Sequence, residues 1–354
     1  MMGQLRVEHA AKVDENLLDQ LGVPSTRFYT GELDRIQLAQ RGHGATTYVV
    51  ARDANEHAVG MAPVYVTSTP WHAAVDPAVL FDPSLPVSPS TLGLAGSHGV
   101  YANYLTLGAR VDDRDAAHVA GVLVEQARAI ARAAGCEYVM LPYLDETQAR
   151  WLEAYWPSAA AVSVCEKAVL PVSWHSFDDY VSCLPTRRRT GVRRERRRLR
   201  ESGIDVRELR MVDAAGELAP LLVQTEKRYG RDADPRQIEF HYTLLGMHLD
   251  EDFTALVAYQ RDRPVACSLL LACGNRWISK AWGCDYTALD DPFLYFNLTF
   301  YEPVIRAIER GFEVLDYGLH ALDSKTQRGC TVQRLQTILI AADDCRPAGR
   351  RTGG

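Results

Sequence analysis

Apolar and polar positions divide this 354-residue chain into two halves of like plan. In the first half, TTYVVAR (46–52) and AVGMAPVYV (58–66) flank the polar turn DANEH, a pattern that predicts a hairpin. A strand at YANYLTLG (101–108) then precedes a helix over 114–134, where Val119, Val122, Leu123, Ala127 and Ile130 share one face and Gly135 marks the end. The run CEYVMLPY (136–143) follows as a strand, and DETQARWLEAYW as a short helix. Helical pieces near 16–21 and 28–42 come before the hairpin, and the Pro-, Ser- and Gly-rich stretch 68–99 reads as a long loop.

The second half repeats the order. TALVAYQ (254–260), the turn RDR and PVACSLLLAC (264–273) form a hairpin, and WISKAWG (277–283) a further strand. A helix over about 294–310 ends at Gly311, and FEVLDYGL (312–319) follows as a strand. Helical pieces near 214–229 and 235–249 lie between the halves. The pattern therefore predicts an α/β chain of two domains, 1–170 and 171–345, with a disordered tail at 346–354.

Charge sharpens this picture at one place. Between Arg187 and Arg200 stand nine arginines and one acid, Glu195, in a chain whose net charge is −6. The window reads as a helix over 186–202, with Thr186 as N-cap after Pro185 and Gly203 as stop, about 21 Å long. Leu184, Val192 and Leu199 fall on one narrow stripe, and Arg188 and Glu195 share it, which sets Glu195 to pair with a neighbouring arginine. Concentrated arginine suits a polyanion, because the guanidinium binds phosphate through two parallel hydrogen bonds. A solvated surface helix or a localisation signal would carry the same charge run.

Composition excludes several classes. Hydrophobic residues make up 47% of the chain, yet no run approaches the ~18–20 apolar residues of a membrane span. The N-terminus lacks a signal-peptide pattern, and eight cysteines show neither CxxC spacing nor a Cys/His metal pattern. A cytoplasmic protein with reduced thiols and no metal is the expectation. No P-loop, dinucleotide-binding glycine pattern or nucleophile elbow is present; GHGAT (42–46) and AGSHGV (95–100) read as turns.

The order strand, turn, strand, helix, strand resembles the Gcn5-related N-acetyltransferase (GNAT) fold, and its doubling around a helical insertion resembles the Fem-type aminoacyltransferases. The stretches 177–204, 282–318 and 323–330, with RRERRR, AIERG and the Lys325-x-x-Arg328-Gly329 sequence, resemble the peptidoglycan-biosynthesis-like branch. The resemblance implies tandem GNAT-like domains with mixed, mostly antiparallel sheets flanked by helices. It also implies transfer of an amino acid from aminoacyl-tRNA to an amine, with tRNA as partner and no other cofactor. Departures from the branch stand at Tyr295-Phe296-Asn297, where it has His-Phe-Glu, at Asp316, where it has Glu, and at His320 and Ser324, where it has Gln and His. These departures point to an altered acceptor pocket, suited to a specialised metabolite or peptide intermediate as much as to a cell-wall precursor.

Transfer from an activated ester needs positioning, donors to the oxyanion and removal of a proton. Asp316, late in a strand read as buried, is the first candidate base, against a structural partner of an arginine; His320, at the strand's end, is the second. The resemblance implies that Lys325 and Arg328 contact phosphate or substrate, and Trp282, Tyr286, Tyr295, Asn297 and Tyr317 are read as pocket lining or a stacking surface for a terminal adenine. Tyr101, Asn103 and Tyr104 open a first-half strand as further cleft candidates. Arg187, Arg188, Arg189, Arg193, Arg194, Arg197 and Arg198 are read as the tRNA contacts. CoA-dependent members of the fold bind pyrophosphate through [QR]-x-x-G-x-[GA]. The three approaches to it here, from Arg188, Arg200 and Arg132, end in Arg193, Asp205 and Glu137 and do not complete it. A CoA-dependent N-acyltransferase is the second reading and a non-catalytic RNA-binding protein the third.

Overall fold

The computed structural model describes residues 4–22, 45–66, 75–82, 84–85, 87–88, 91–96, 102–103, 105–287 and 293–343. The helical piece expected at 28–42, most of the expected loop 68–99, Tyr101, Tyr104 and the expected disordered tail lie outside those residues.

Thirteen strands are described. In chain order they are β1 (Arg6–Ala10), β2 (Ala45–Arg52), β3 (Ala58–Val66), β4 (Leu92–Ala95), β5 (Thr106–Leu107), β6 (Tyr138–Leu144), β7 (Ala159–Pro171), β8 (Asp205–Arg210), β9 (Phe253–Gln260), β10 (Arg263–Cys273), β11 (Arg276–Cys284), β12 (Val314–Asp316) and β13 (Thr331–Ala341). The chain forms two compact units, one of residues 1–166 with 334–354, the other of residues 167–333. Sequence patterning put the whole of 171–345 in one domain. In the structure, β13 from Gln336 to Ala341 pairs with β6, so the described residues 334–343 group with the first unit.

In the first unit the strands run β1-β2-β3-β4-β6-β13, and only the β4–β6 pair is parallel. The helix Asp113–Ala133 covers this sheet, capped by Asp112, whose carboxylate accepts from the N–H groups of Arg114 and Asp115. Its buried face is Ala116, Val119, Ala120, Leu123, Val124, Ala127 and Ala131. Val122 and Ile130, expected on that face, flank it half-buried. The small residues let the helix approach closely: a Cβ at Gly60 on β3 would lie 2.7 Å from Val119.

The second unit has the order β7-β12-β11-β10-β9-β8, with β11 and β12 parallel and the other neighbours antiparallel. The expected helix over 294–310 is present in three parts: Leu294–Phe296, a π turn at Asn297–Tyr301, and Glu302–Arg310, ending on left-handed Gly311. Leu298, Phe300 and Val304 from this helix join Leu256, Leu270, Trp277 and Leu315 of the sheet in one core, to which the arginine helix adds Val192 and Leu199.

The hairpins β2–β3 and β9–β10 stand where the alternation puts them. Among the described residues of the expected strand 101–108, β5 is the part found, and β4 lies within the segment read as loop. The reason is pairing: β4 is only four residues, all buried, held between β3 and β6, and LGLA has no alternation of its own.

Candidate functional site

Parallel strands that part leave an unpaired edge, and the second unit has one. β12 pairs with β11 from Val314 to Asp316, opposite Arg276 to Ile278. β11 runs on to Cys284, and among the described residues no strand pairs with it on that side. A one-residue bulge falls there, since Leu269 faces Ala281 and Leu270 faces Ser279 across β10, which leaves Lys280 as the extra residue. After β12 the chain turns sharply, with Gly318, His320 and Ala321 in the left-handed region (φ 63°, 62° and 47°).

Three backbone carbonyls hold the turn in shape. Lys325 Nζ donates to the oxygens of Tyr317 (2.7 Å), Gly318 (3.2 Å) and Leu319 (2.6 Å). Its ammonium is buried, and desolvation lowers its pKa to about 8. Lys325 therefore shapes the turn from inside, where the sequence reading had it contacting substrate. Asp316 is likewise committed. Oδ2 accepts from Lys167 Nζ at 3.0 Å and Arg276 Nη1 at 2.9 Å, and Oδ1 from the Gly318 N–H at 3.0 Å. Both carboxylate oxygens of Asp316 are thus engaged, and the residue ties β7, β11 and β12 together. His320 is exposed on this turn.

The arginine helix spans Thr186–Glu201. Pro185 takes the N-cap position without a side-chain bond, and Thr186, expected there, is the first helical residue. Gly203 follows the C-cap with φ 67°, as the stop signal requires. Val192, Glu195 and Leu199 form the buried face. The Glu195 carboxylate accepts from Arg188, from the Tyr301 hydroxyl and, at 3.5 Å, from Arg328. Burial and that carboxylate push the Tyr301 phenol well up.

Arg328 is buried completely. It donates to Tyr301 Oη (3.2 Å) and the Ser324 carbonyl (2.8 Å), and its guanidinium lies 3.5 Å above the Phe296 ring. Asn297, also buried, donates to the carbonyls of Phe293 (2.9 Å) and Glu195 (3.3 Å) and accepts from Arg196 (3.2 Å), which pairs with Glu302 at 2.5 Å. Arg328 and Asn297 are thus buried and fasten the arginine helix to the π turn and to the 318–329 segment, while Arg188, half-buried, pairs with Glu195 within its own helix. Sequence reading missed Arg196, Tyr301 and Glu302, whose only signal was helical spacing.

The outer face carries Arg187, Arg193, Arg194, Arg197, Arg198 and Arg200, all exposed. Arg189 is half-buried and donates to Thr186 Oγ1 at 2.7 Å. Six guanidinium groups over fourteen helical residues make a positive face about 20 Å long.

At the far end of β11 the aromatic candidates do meet. Trp282 and Tyr295 pack edge to face at 5.2 Å, and Trp282 Nε1 donates to Tyr286 Oη at 3.3 Å. Arg228 lies 4.4 Å over the Tyr286 ring, and Thr225 shares a 3.3 Å hydrogen bond with the Tyr286 hydroxyl. Tyr317 is buried with its ring 4.5 Å from Phe300, and its hydroxyl has no hydrogen-bond partner among the described residues. Tyr104 lies outside the described residues. Asn103 is spent on the backbone of the first unit. Among the described residues no group of three or more His, Cys, Asp or Glu could hold a metal, and no helix is long and apolar enough to cross a membrane.

Comparison with known proteins fits this architecture. The solved structure of FemX is 12% identical over 93% of this chain and 96% of its own, with a TM-score of 0.62. A tandem GNAT protein from the clavulanic acid biosynthesis pathway is 12% identical over 96% of this chain and 99% of its own, at 0.54. A conserved protein of unknown function from Bacteroides thetaiotaomicron VPI-5482 is 9% identical over 94% and 100%, at 0.59. At these identities the likeness is one of fold, and the expected tandem GNAT-like α/β architecture is the one found. No curated protein matches. The FemAB-like family model, described as peptidoglycan biosynthesis/recognition, matches residues 106–345. More than half of the sequence is covered by that match, and the chain belongs to the FemAB-like family.

Proposed function

We propose that this protein is an aminoacyltransferase that takes an amino acid from aminoacyl-tRNA and passes it to the amine of a small molecule or peptide intermediate. The second unit receives the donor. One observation carries the reading: the helix that exposes six arginines is bolted by its inner face, through Glu195, to the turn and π-turned helix beside the parting strands. A polyanion held on the outer face is thereby brought to the edge of the transfer site. Phosphate contacts of this kind position a nucleic acid without reading its bases.

The chemistry asks little more. The acceptor nitrogen attacks the ester carbonyl, the bond to the ribose oxygen breaks, and that oxygen takes up the proton which the nitrogen gives away. The ester is already activated, so holding the two reactants in register supplies most of the acceleration. His320, exposed on the turn after β12, is the group at hand to relay the proton. Trp282, Tyr286 and Tyr295 offer a stacking surface for the terminal base of the donor.

The test is binding of the purified protein to charged and uncharged tRNA across a salt series, with CoA and acetyl-CoA in parallel. Micromolar or tighter tRNA binding that weakens steeply with salt, followed by transfer from a charged tRNA to an amine, is the expected result. Saturable CoA binding without tRNA binding would make the protein a CoA-dependent acyltransferase instead. tRNA binding without transfer to any amine, with His320→Ala indistinguishable from wild type, would leave an RNA-binding protein.

A further inference from the structure

The helix Pro235–Leu249 packs on its neighbour Met211–Arg228 by a narrow inner face, and its outer face is apolar. Leu245 and Gly246 are its buried residues, with Gly246 set against the Val212 backbone, and the Tyr242 ring lies 6.0 Å from that of Phe253 on β9. On the opposite side stand Phe240 and Met247, 62% and 65% exposed, with Leu244 half-buried between them. The spacing i, i+4, i+7 puts all three on one stripe, about 10 Å long. From Phe240 to Leu249 the helix has no Asp, Glu, Lys or Arg. Single exposed apolar residues are ordinary on a protein surface, but a row of them on an uncharged helical face marks a place of contact.

Charge stands at the two ends of the stripe. Arg236 precedes it by one turn and Glu251 follows the helix; both are exposed, and neither has an ion-pair partner among the described residues. Glu239, the other charged residue of the helix, lies against Gly216 of the neighbouring helix, where an added Cβ would meet its carboxylate at 3.0 Å. An antiparallel copy of the helix matches this surface. With a two-fold axis between Thr243 and Leu244, Phe240 of one copy faces Met247 of the other and Arg236 faces Glu251, each pair formed twice. One axis serves both matches, as a self-complementary interface requires.

We propose that this protein associates with a second copy of itself through the helix Pro235–Leu249, paired antiparallel about Thr243 and Leu244. The Met247 thioether packs on the edge of the Phe240 ring, and the two Arg236–Glu251 pairs fix direction and register, as flanking charges do in coiled coils. A membrane surface would use the apolar stripe but has no need of opposite charges at its two ends. A helix pair buries less than the ~1,600 Å² of a standard interface, so the association is weak, with a Kd on the order of 10–100 μM. The inference stands apart from the transfer reading and does not depend on it.

Sedimentation equilibrium of the full chain, from about 1 to about 500 μM, tests this. Wild type should pass from monomer to dimer across that range. Phe240→Asp and Met247→Lys change exposed positions and should keep the wild-type melting temperature, and each should weaken association by at least about tenfold. Arg236→Glu sets like charges across the axis and should weaken it by about 3–10-fold, as should Glu251→Arg; the double variant Arg236→Glu/Glu251→Arg should recover the wild-type affinity. A protein that stays monomeric throughout would overturn the proposal, as would a dimer indifferent to Phe240→Asp. A double variant that fails to recover would overturn the antiparallel pairing. A monomer that floats with phosphatidylglycerol vesicles, and no longer does so as Phe240→Asp, would give the stripe to a membrane surface instead.

Discussion

Glu195 shows how one residue can govern a site it never presents to solvent. It is 3% exposed and is the shared counter-charge for Arg188 and for Arg328, itself 1% exposed. Glu195→Gln leaves Arg328 buried without a full negative charge, and urea unfolding should report a loss of about 3–5 kcal/mol. Arg197→Ala, which removes only the exposed 3.8 Å pair with Glu201, should stay within about 0.5 kcal/mol of wild type. Asp316→Asn belongs with Glu195, since it removes the full negative charge facing the buried Lys167 ammonium and Arg276. It should cost stability by a similar amount, and any loss of turnover should track the loss of folded protein rather than a shift in the pH–rate profile. The pH dependence of stability has two opposed sources at this spot. Lys325 has a folded pKa near 8 against 10.5 in the ordinary state, so the unfolded chain binds more protons in that interval and stability from this group rises with pH across it. The Cys330 thiol, pushed up to about 12 by burial, works the other way: its contribution is whole below pH 9 and is lost as pH climbs above it. Chemical denaturation of wild type and Cys330→Ala between pH 8 and 10.5 should therefore show the variant gaining on wild type as pH rises. The pairing of Glu195 with an arginine was legible from helical spacing. The burial of Arg328 and Asn297 was not, because Glu195, the partner they share, lies over a hundred positions away in sequence.

Among the elements, the arginine helix separates its two tasks by face. Replacing Arg193, Arg194, Arg197 and Arg198 with Ala removes only exposed side chains, so the melting temperature should hold. The slope of log K for tRNA against log salt should flatten by about 3–4. An unchanged slope would mean that this face does not contact the phosphates. A second element-level prediction concerns the hairpin of helices Met211–Arg228 and Pro235–Leu249. A Cβ at Gly246 would meet the Val212 amide nitrogen at 2.5 Å, and backbone cannot swing aside. Gly246→Ala should destabilise by about 1–3 kcal/mol by the overpacking it forces, read as a shift in the urea midpoint at unchanged m-value. Hairpins and amphipathic helices were readable because their periodicities are local. β4, β7, β8 and β13 were not, since a short or polar strand such as DVRELR exists through the neighbour it pairs with.

Taken as a whole molecule, the chain returns to its first unit at its end. Leu335, Ile338, Leu339 and Ile340 are buried on β13, and each contributes about 1.5–3 kcal/mol by its removal from water. Together they rival the ~5–15 kcal/mol that stabilises a typical domain. A chain ending at Gln333 should therefore lose the first unit and keep the second. Limited proteolysis would find cleavage in 92–144 with 167–333 protected. Cleavage confined to 171–333 would instead support the division at residue 170.

The sequence alone determined the doubled α/β plan, the arginine helix and its inward glutamate, because each is written in periodicity or charge within a few turns or strands. Tertiary structure decided the rest. It committed Asp316 to Lys167 and Arg276, sealed Arg328 beneath the arginine helix, turned Lys325 onto three carbonyls and tied Asn103 to the carbonyls of Ala95 and Pro142. Each of these is a buried polar group whose partner lies elsewhere in the chain. A one-dimensional pattern records that such a group exists but carries no record of what satisfies it.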